Sequence, residues 1–241
     1  MNAMIFAAGL GTRLKPLTDN LPKALAPFKG KPLLWHTIKG MEKIGVKRVV
    51  VNVHHFAQQI KDYITSETWN TEVVISDESD LLLDTGGGLL NAQALFIPNE
   101  PILIRNVDII TSTDVARFIQ MHRLNNCDAT LMVKNRDTAR YLVFDEHMNL
   151  CAWKNIKTQE EIVVKMGQSL QDLAFSGMHI VEQRLLQQMG EVRPFSIIKA
   201  YLDLAKSNVI KGYKVANSET WFDVGTIDKL RDAELNYKSG K

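Results

Sequence analysis

The chain has 241 residues, of which 45% are hydrophobic and 23% charged, and its formal net charge at pH 7 is +2. This composition is ordinary for a globular protein with a sizeable core, and the small charge argues against nucleic acid or a membrane surface as partner. Because only Cys127 and Cys151 are present and no run suits a signal peptide or transmembrane helix, we expect a cytoplasmic protein without disulfides.

Strand-like and helix-like segments alternate through the first half of the chain, as in a mostly parallel sheet with crossover helices. Apolar, β-branched runs predict the strands, and apolar residues at helical spacing predict the helices. The predicted strands cover residues 4–8, 47–53, 72–75, 101–105 and 128–133, and the predicted helices cover 33–44, 56–64, 85–96 and 113–124.

The second half has shorter strand candidates separated by polar turns, which is more typical of an antiparallel extension. The predicted strands cover residues 141–144, 150–153, 174–180 and 209–215, and the predicted helices cover 182–188, 195–207 and 227–237. We find no repeat and no Pro/Ser-rich linker. The sequence therefore predicts one α/β domain with a modified second half.

The first predicted strand runs into a glycine-rich turn that carries an arginine, and a lysine follows. The turn contains Gly9, Gly11 and Arg13, and the lysine is Lys23. Glycines let backbone N–H groups approach a ligand, and the two cations can neutralise phosphate oxygens. The segment is suited to hold a polyphosphate, so we predict a nucleotide-binding protein.

Two other glycine-rich phosphate motifs are excluded. A dinucleotide-binding fingerprint requires a third glycine where Leu14 stands, and an acidic residue at the end of the second strand. That strand instead ends at Val53, followed by two histidines. A P-loop would require Gly-Lys-Ser/Thr, which does not follow the turn.

Three consecutive glycines follow Asp84 and Thr85 at the start of a predicted helix. Asp or Thr alone would serve as the cap, and each glycine costs about 1 kcal/mol in a helix relative to alanine. We interpret Gly86, Gly87 and Gly88 as bare backbone on which a flat base or a sugar can lie. A flexible loop is the alternative interpretation.

Two aspartates far apart in the sequence are candidate ligands of one metal ion. Asp108 follows the predicted strand 101–105, at the edge where open α/β sheets bind ligands. Asp223 lies in the segment W-F-D-V-G-T, where a turn or capping role is equally compatible with it. Mg²⁺ takes one or two protein carboxylates and completes its shell with phosphate oxygens and water, so Mg²⁺ is the predicted cofactor.

Together these motifs resemble the sugar-phosphate nucleotidylyltransferase family, whose signature is G-x-G-T/S-R, then x-P-x-T, then P-K. The matching residues are Gly9, Gly11, Thr12, Arg13, Pro16, Thr18, Pro22 and Lys23. Residues 174–178 and 221–226 resemble later family motifs. Within the family, the D-T-G-G-G and W-x-D-V-G-T segments and the short length most resemble N-acetylmuramate-1-phosphate uridylyltransferases and short mannose-1-phosphate guanylyltransferase-like proteins.

The resemblance implies a Rossmann-like, mostly parallel mixed sheet flanked by helices, with a nucleotide-binding half at residues 1–135 and a sugar-phosphate-binding half at residues 136–241. Arg13 and Lys23 would be catalytic, and Asp108 and Asp223 would bind Mg²⁺. The implied nucleotide-binding residues are Ala8, Gly9, Gly11, Thr12, Arg13, Lys23, Gly86 and Gly87, and the implied sugar-phosphate-binding residues are Lys154 and Gly177.

The chain departs from the family pattern at two motifs. Asn106-Val107-Asp108 replaces the usual Gly-Asp pair before the metal ligand, and residues 152–155 (A-W-K-N) match the family's E-K-P stretch only loosely. Because the chain stops at Lys241, we do not expect the left-handed β-helix that some relatives add for acyl transfer.

The implied reaction joins a sugar 1-phosphate to a nucleoside triphosphate and releases pyrophosphate, with UTP and N-acetylmuramate 1-phosphate as the favoured substrates. GTP with mannose 1-phosphate, or CTP with a phosphoalcohol such as phosphocholine, are alternatives within this chemistry. A non-catalytic nucleotide-sugar sensor is the alternative from another class. We expect a monomer or a homodimer.

Overall fold

Fourteen strands and seven α-helices make up residues 1–237, the part of the chain that the computed structural model describes. The strands are β1 (Asn2–Phe6), β2 (Pro27–Phe28), β3 (Lys31–Pro32), β4 (Arg48–Val53), β5 (Glu72–Asp77), β6 (Ile102–Asn106), β7 (Ile109–Thr111), β8 (Ala129–Lys134), β9 (Arg140–Phe144), β10 (Leu150–Asn155), β11 (Glu160–Val163), β12 (Gln171–Val181), β13 (Ile210–Lys214) and β14 (Trp221–Asp223). The helices are α1 (Leu33–Lys43), α2 (Ala57–Ser66), α3 (Asp84–Asn91), α4 (Val115–Asn125), α5 (Gln183–Leu186), α6 (Ile197–Leu204) and α7 (Ile227–Asn236). None of these helices is long and apolar enough to cross a membrane.

Ten strands form one mixed sheet, ordered β11-β10-β9-β12-β6-β1-β4-β5, with β8 paired to β12 and β13 paired to β8. The strands β5, β4, β1 and β6 are parallel, and so are β8 and β13. β12 is antiparallel to β6, β8 and β9, and β9, β10 and β11 form an antiparallel extension. The predicted fold class is therefore confirmed.

Alternating residues of the parallel strands build a separate core on each face of the sheet. Ala3 and Ile5 of β1 face one core, in which α1, α2, α4 and α7 pack, and Met4 faces the other, which contains α3 and α6. Since both β12 and β13 extend the sheet begun by the first half of the chain, no structural break falls near residue 135. The functional division there stays a prediction, and residues 238–241 lie outside the described residues.

The first strand ends earlier than predicted, at Phe6 instead of Ala8. The amide of Ala7 donates to Asn52 Oδ1 at 2.7 Å, so the chain leaves the sheet there and the following residues are free to form a ligand-facing loop. The short strands β2, β3, β7, β11 and β14 were not predicted, because segments of two to four residues have no measurable periodicity.

Candidate active site

A cavity of about 340 Å³ opens at the carboxyl ends of β1, β4 and β6. We call it the nucleotide-side cavity, because residues predicted to bind a nucleotide line it. It lies where open α/β sheets bind their ligands. Five of the predicted site residues line it, namely Ala8, Gly9, Arg13, Lys23 and Asp108. The fold therefore brings the glycine turn, both predicted cations and one predicted metal ligand to a single place.

The glycine turn folds back onto the segment that carries Lys23. Gly11 has a φ of +67°, and a Cβ there would lie 3.1 Å from the Cβ of Lys23. Thr18 Oγ1 donates to the carbonyl of Gly11 at 2.9 Å, which fixes the return of the chain. Both the left-handed backbone and the close approach require glycine at this position. Thr12 begins a short 3₁₀ turn behind the loop, and neither it nor Gly11 is among the described residues that line the cavity.

Asp108 lies in the tight connection between β6 and β7, and its carboxylate forms an ion pair with Lys23. Both side chains are mostly buried, with 11% and 14% of their surfaces exposed. Arg105 Nη2 donates to the carbonyl of Ile109 at 2.5 Å from within the core, which supports this connection. Burial lowers the pKa of Arg105 to about 10, so the guanidinium is charged at neutral pH.

A two-stranded sheet brings Asp223 beside this connection. β14 pairs antiparallel with β7, with Asp223 opposite Ile109, and the amide of Val224 donates to the carbonyl of Asp108 at 2.9 Å. Direct pairing of the two segments thus brings the backbones of Asp108 and Asp223 together, while convergence of their carboxylates on one metal ion stays a prediction.

The Asp223 carboxylate is surrounded by positive charge. Lys229 Nζ lies 3.5 Å from its Oδ2. A Cβ added to Gly225 would lie 2.8 Å from Arg13 Nη2 and 2.8 Å from Asp223 Oδ1, so the guanidinium and carboxylate share this glycine as a neighbour. Burial alone would raise the pKa of Asp223, but Lys229, Lys23, Arg13 and an N–H from Gly225 hold it below its ordinary value. Asp223 is therefore ionised at neutral pH.

Lys229 had no role assigned from the sequence. Thr226 caps α7, its Oγ1 accepting from the amide of Lys229 at 3.4 Å, and this places the lysine in the first helical turn. The Thr226 cap could have indicated that the helix starts here, but only the fold shows that its first turn faces Asp223.

The pair Asp108 and Asp223 suits a hard divalent cation. Residues 1–237 contain no group of three or more His, Cys, Asp or Glu side chains able to hold a metal. Two carboxylates without nitrogen or sulfur ligands do not fit a structural zinc site, but they do fit Mg²⁺ when substrate phosphates complete the shell. The metal-ligand roles of Asp108 and Asp223 stay predictions.

The three glycines after Asp84 make room for neighbouring parts of the protein, and not for a ligand as predicted. They lie inside α3, where a Cβ on Gly86 would lie 2.2 Å from the Phe195 ring and one on Gly87 2.1 Å from the carbonyl oxygen of Arg193. The amide of Gly86 is also engaged, donating to the Phe195 carbonyl at 2.8 Å. The interpretation of the tract as bare backbone open to a ligand is therefore wrong, and so is the flexible-loop alternative. No geometry here tests the nucleotide contacts assigned to Gly86 and Gly87; Asp84 and Thr85 line the cavity instead.

A buried polar relay, missed from the sequence, links the glycine turn to the loop before α3. Asn52 accepts from Ala7 and donates to Glu78 Oε1 at 2.7 Å, and Glu78 Oε2 accepts from the amide of Leu83 at 3.1 Å. Burial raises the pKa of the Glu78 carboxyl. Asn52 and Glu78 both line the cavity, so the relay fixes two of its walls relative to each other. The polar Asn52 at the end of an apolar strand was its only sequence signal.

A second cavity of about 590 Å³ lies between β9, β10 and α6. We call it the acceptor-side cavity, where the acceptor is the sugar 1-phosphate to which the predicted reaction would transfer the nucleotidyl group. Trp153, Tyr141 and Phe175 contribute aromatic walls to it. The buried ring of His179 is close to one lining residue of each cavity, with its centroid 5.5 Å from that of Phe175 in the acceptor-side cavity and 6.4 Å from that of Phe6 in the nucleotide-side cavity. These three rings link a wall of one cavity to a wall of the other.

The two predicted sugar-phosphate residues occupy different surroundings. Lys154 forms an ion pair with Asp172, on the face of β10 opposite Trp153, and is not among the described residues lining either cavity. Gly177 has a φ of +73°, and a Cβ there would lie 3.0 Å from Asn106 Nδ2, next to the nucleotide-side cavity. Their roles in binding a sugar phosphate stay predictions.

A mixed α/β sheet with a cationic cavity at its carboxyl edge, which Asp108 lines and beside which Asp223 is paired, is the arrangement expected of a nucleotide-binding transferase of the sugar-phosphate nucleotidylyltransferase class. A family model described as nucleotidyl transferase matches residues 2–240. The chain belongs to this family, which confirms the resemblance and the enzyme class predicted from its motifs.

Relatives of known name support the same class. The chain is 31% identical to N-acetylmuramate alpha-1-phosphate uridylyltransferase of Caulobacter vibrioides, across 92% of this chain and 91% of the relative. It is 28% identical to the mannose-1-phosphate guanylyltransferase catalytic subunit beta of Drosophila pseudoobscura pseudoobscura, across 92% of this chain but only 58% of that relative. Among solved structures, HddC from Yersinia pseudotuberculosis complexed with GMP-PN has the same fold, with a TM-score of 0.77 at 23% identity, covering 98% of this chain and 99% of that one.

Proposed function

We propose that the protein joins N-acetylmuramate 1-phosphate to UTP, forming a nucleotide-sugar and pyrophosphate. The main support for this chemistry is that Arg13, Lys23 and Asp108 line the nucleotide-side cavity, while Asp223, with Lys229 3.5 Å from its carboxylate, is paired beside Asp108. Three cations and two carboxylates at one sheet edge suit the meeting of two phosphates better than they suit a neutral ligand.

In the proposed reaction an oxygen of the sugar 1-phosphate attacks the α-phosphorus of the triphosphate. One P–O bond forms, the bond between the α-phosphorus and the bridging oxygen breaks, and pyrophosphate leaves with that electron pair. The attacking phosphate monoester has a second pKa of about 6 and is mostly dianionic at neutral pH, so it needs no general base. This agrees with the lining of the cavity, which among residues 1–237 includes charged groups but no histidine or serine.

The residues of the chain would act by placing charge. Arg13 and Lys23 would offset the negative charge of the triphosphate, and the backbone at Gly9 would approach its phosphates. Asp108 and Asp223 would hold Mg²⁺, which when bound supplies positive charge between the two phosphates. In the described structure Lys23 occupies the Asp108 carboxylate, so metal and triphosphate binding would have to loosen this ion pair.

Support for the uridylyl substrate comes from the relatives as well as from the motifs. The chain is 31% identical to the uridylyltransferase of Caulobacter vibrioides and 26% identical to that of Neisseria meningitidis. Mannose 1-phosphate with GTP is the second candidate, because guanylyltransferases are related to this chain at 26–28% identity.

The test is a panel of the four nucleoside triphosphates against N-acetylmuramate 1-phosphate, mannose 1-phosphate and phosphocholine, scored by pyrophosphate release with Mg²⁺. We expect the highest kcat/KM for UTP with N-acetylmuramate 1-phosphate. Release with GTP and mannose 1-phosphate alone would establish the second candidate. Thermal stabilisation by a nucleotide-sugar without any pyrophosphate release would instead indicate a sensor.

Two further parts of the proposal concern the environment of the protein. Cys127 and Cys151 are buried free thiols, which agrees with the predicted cytoplasmic location. The predicted monomer or homodimer can be decided by light scattering of the purified protein.

A further inference from the structure

One arginine of the acceptor-side cavity lies near the strand that carries Asp223, one of the two predicted metal ligands. Arg136 lies in the loop between β8 and β9 and lines that cavity. Its guanidinium carbon lies 4.5 Å from the centroid of the Trp221 ring, and its Nη2 donates to the carbonyl of Phe175 at 3.0 Å. The guanidinium is therefore held in a fixed orientation from two sides.

Trp221, on which the guanidinium stacks, lies on the same strand as Asp223. Trp221 and Asp223 are two residues apart on β14, so their side chains lie on the same face of the strand. Trp221 Nε1 donates to the carbonyl of Ser176 at 2.9 Å, which anchors its ring against β12. Burial lowers the pKa of Arg136, and Asp223 is the foremost charge that opposes this effect. Arg136 therefore lies over the Trp221 side of β14, the side that also carries Asp223, and lines the acceptor-side cavity.

The hydrogen-bonding capacity of Arg136 is not fully used within residues 1–237. It forms no ion pair with a carboxylate there, and its Nε is buried without a hydrogen-bond partner. Lys154, by contrast, is already paired with Asp172. A buried unsatisfied donor is costly, and a planar guanidinium matches phosphate oxygens with two parallel hydrogen bonds.

We propose that Arg136, stacked on Trp221, binds the phosphate of the sugar 1-phosphate and turns its attacking oxygen towards the nucleotide-side cavity. This assignment rests on the proposed function, because it presupposes that the acceptor phosphate lies between Asp223 and the acceptor-side cavity. It adds a phosphate-binding residue from the loop after β8, a segment in which the sequence indicated no function.

Steady-state kinetics of Arg136→Gln, Arg136→Lys and Arg117→Gln test the assignment, with whichever of the two proposed substrate pairs the wild type turns over. Arg117 is an exposed arginine on α4 outside both cavities, so its variant removes the same charge elsewhere. We expect Arg136→Gln to raise the acceptor KM by roughly 10- to 100-fold, the range for losing a charge-assisted hydrogen bond. The triphosphate KM should stay within about twofold of wild type, Arg136→Lys should recover part of the loss, and Arg117→Gln should match wild type.

An unchanged acceptor KM in Arg136→Gln would overturn the assignment. An equal loss of affinity for acceptor and triphosphate, together with a lower melting temperature, would also overturn it, because Arg136 would then merely support Trp221.

Calorimetric binding of mannose 1-phosphate and N-acetylmuramate 1-phosphate separates this assignment from the proposed function. If the wild type releases no pyrophosphate with any pair, the proposed function fails, yet weaker binding of either sugar phosphate to Arg136→Gln would still support the arginine. Equal binding by wild type and variant, or no binding by the wild type, would refute the role of Arg136.

Discussion

The two neighbouring cavities are built from different materials. The nucleotide-side cavity is formed by short motifs at strand ends, with charged residues held against one another, whereas the acceptor-side cavity combines charged residues with aromatic walls from β9, β10 and β12. The first arrangement fixes where charge lies and suits phosphate chemistry. The second offers a shaped wall, and if it binds the sugar as proposed, it is the region in which members of one family can differ in substrate.

The largest expected effect tests whether the nucleotide-side cavity is where the chemistry takes place. Asp108→Asn removes one of the two carboxylates, and we expect kcat to fall by on the order of a hundredfold or more, as for loss of one preorganised charge stabiliser. Pyrophosphate release at saturating Mg²⁺ measures it. Asp62→Asn, an exposed acid on α2, is the control and should behave as wild type. Near wild-type turnover of Asp108→Asn would remove this cavity from the chemistry.

The two glycine-rich segments of the nucleotide-side region should differ in how much they contribute to stability. Gly87→Ala places a Cβ 2.1 Å from the Arg193 carbonyl oxygen, whereas a Cβ on Gly9 meets nothing within 4 Å. We expect Gly87→Ala to lower the free energy of unfolding by roughly 1–3 kcal/mol, as overpacking does. Gly9→Ala should change it by no more than about 0.5 kcal/mol. Urea denaturation of both variants measures the difference, and equal stabilities would contradict the packing role of Gly87.

The buried ring of His179, close to a wall of each cavity, should make the stability of the protein depend on pH. Burial lowers the pKa of His179 to about 3, below the value of roughly 6.5 expected in the unfolded chain. The contribution of the neutral His179 ring to the free energy of unfolding is therefore complete above pH 6.5, and it is lost as the pH falls from there towards 3. Between pH 7 and 5 this amounts to about 2 kcal/mol of unfolding free energy.

The variant His179→Leu isolates this contribution from that of other titrating groups. Chemical denaturation at pH 7 and pH 5 should show a smaller decrease for the variant than for wild type. The same decrease in both proteins would show that His179 does not stay neutral in the folded state.

The smallest expected effect concerns the acceptor-side cavity alone. Trp153→Ala removes one aromatic wall, and we expect the acceptor KM to rise by about tenfold, the lower range for one pocket contact. The triphosphate KM should remain within about twofold of wild type. Initial-rate measurements with each substrate varied in turn decide it, and a larger effect on the triphosphate would mean that the two cavities are not functionally separate.

The sequence predicted the parts of the protein whose local pattern is strong. The apolar runs of β1, β4 and β6 and the residues Gly9–Lys23 carry periodicity and motif information that does not depend on distant neighbours. The parallel part of the sheet followed from the apolar runs, and the class of enzyme followed from the family resemblance that the motifs carry. The alternation of strands and helices was enough to place Asp108 at the ligand-binding edge.

The remaining features depend on contacts between distant residues, which local patterns do not encode. The fit of Gly86 against Phe195 exists only after α3 and the loop before α6 have packed, so the tract looked open in the sequence. Similarly, the relay through Asn52 and Glu78 joins strands that neighbour each other only in the folded sheet. The acceptor-side cavity was missed because its walls come from short antiparallel strands and α6.

The pairing of β7 with β14 has a consequence for how the protein comes into being. A chain emerging from the ribosome can form the β5-β4-β1-β6 sheet long before residues 221–223 are made, but the partner of Ile109 arrives only with Asp223. Contacts of such long sequence separation form late in folding. A chain synthesised only as far as β6 would therefore already possess its glycine turn but would lack the β7–β14 pair that places Asp223 beside Asp108.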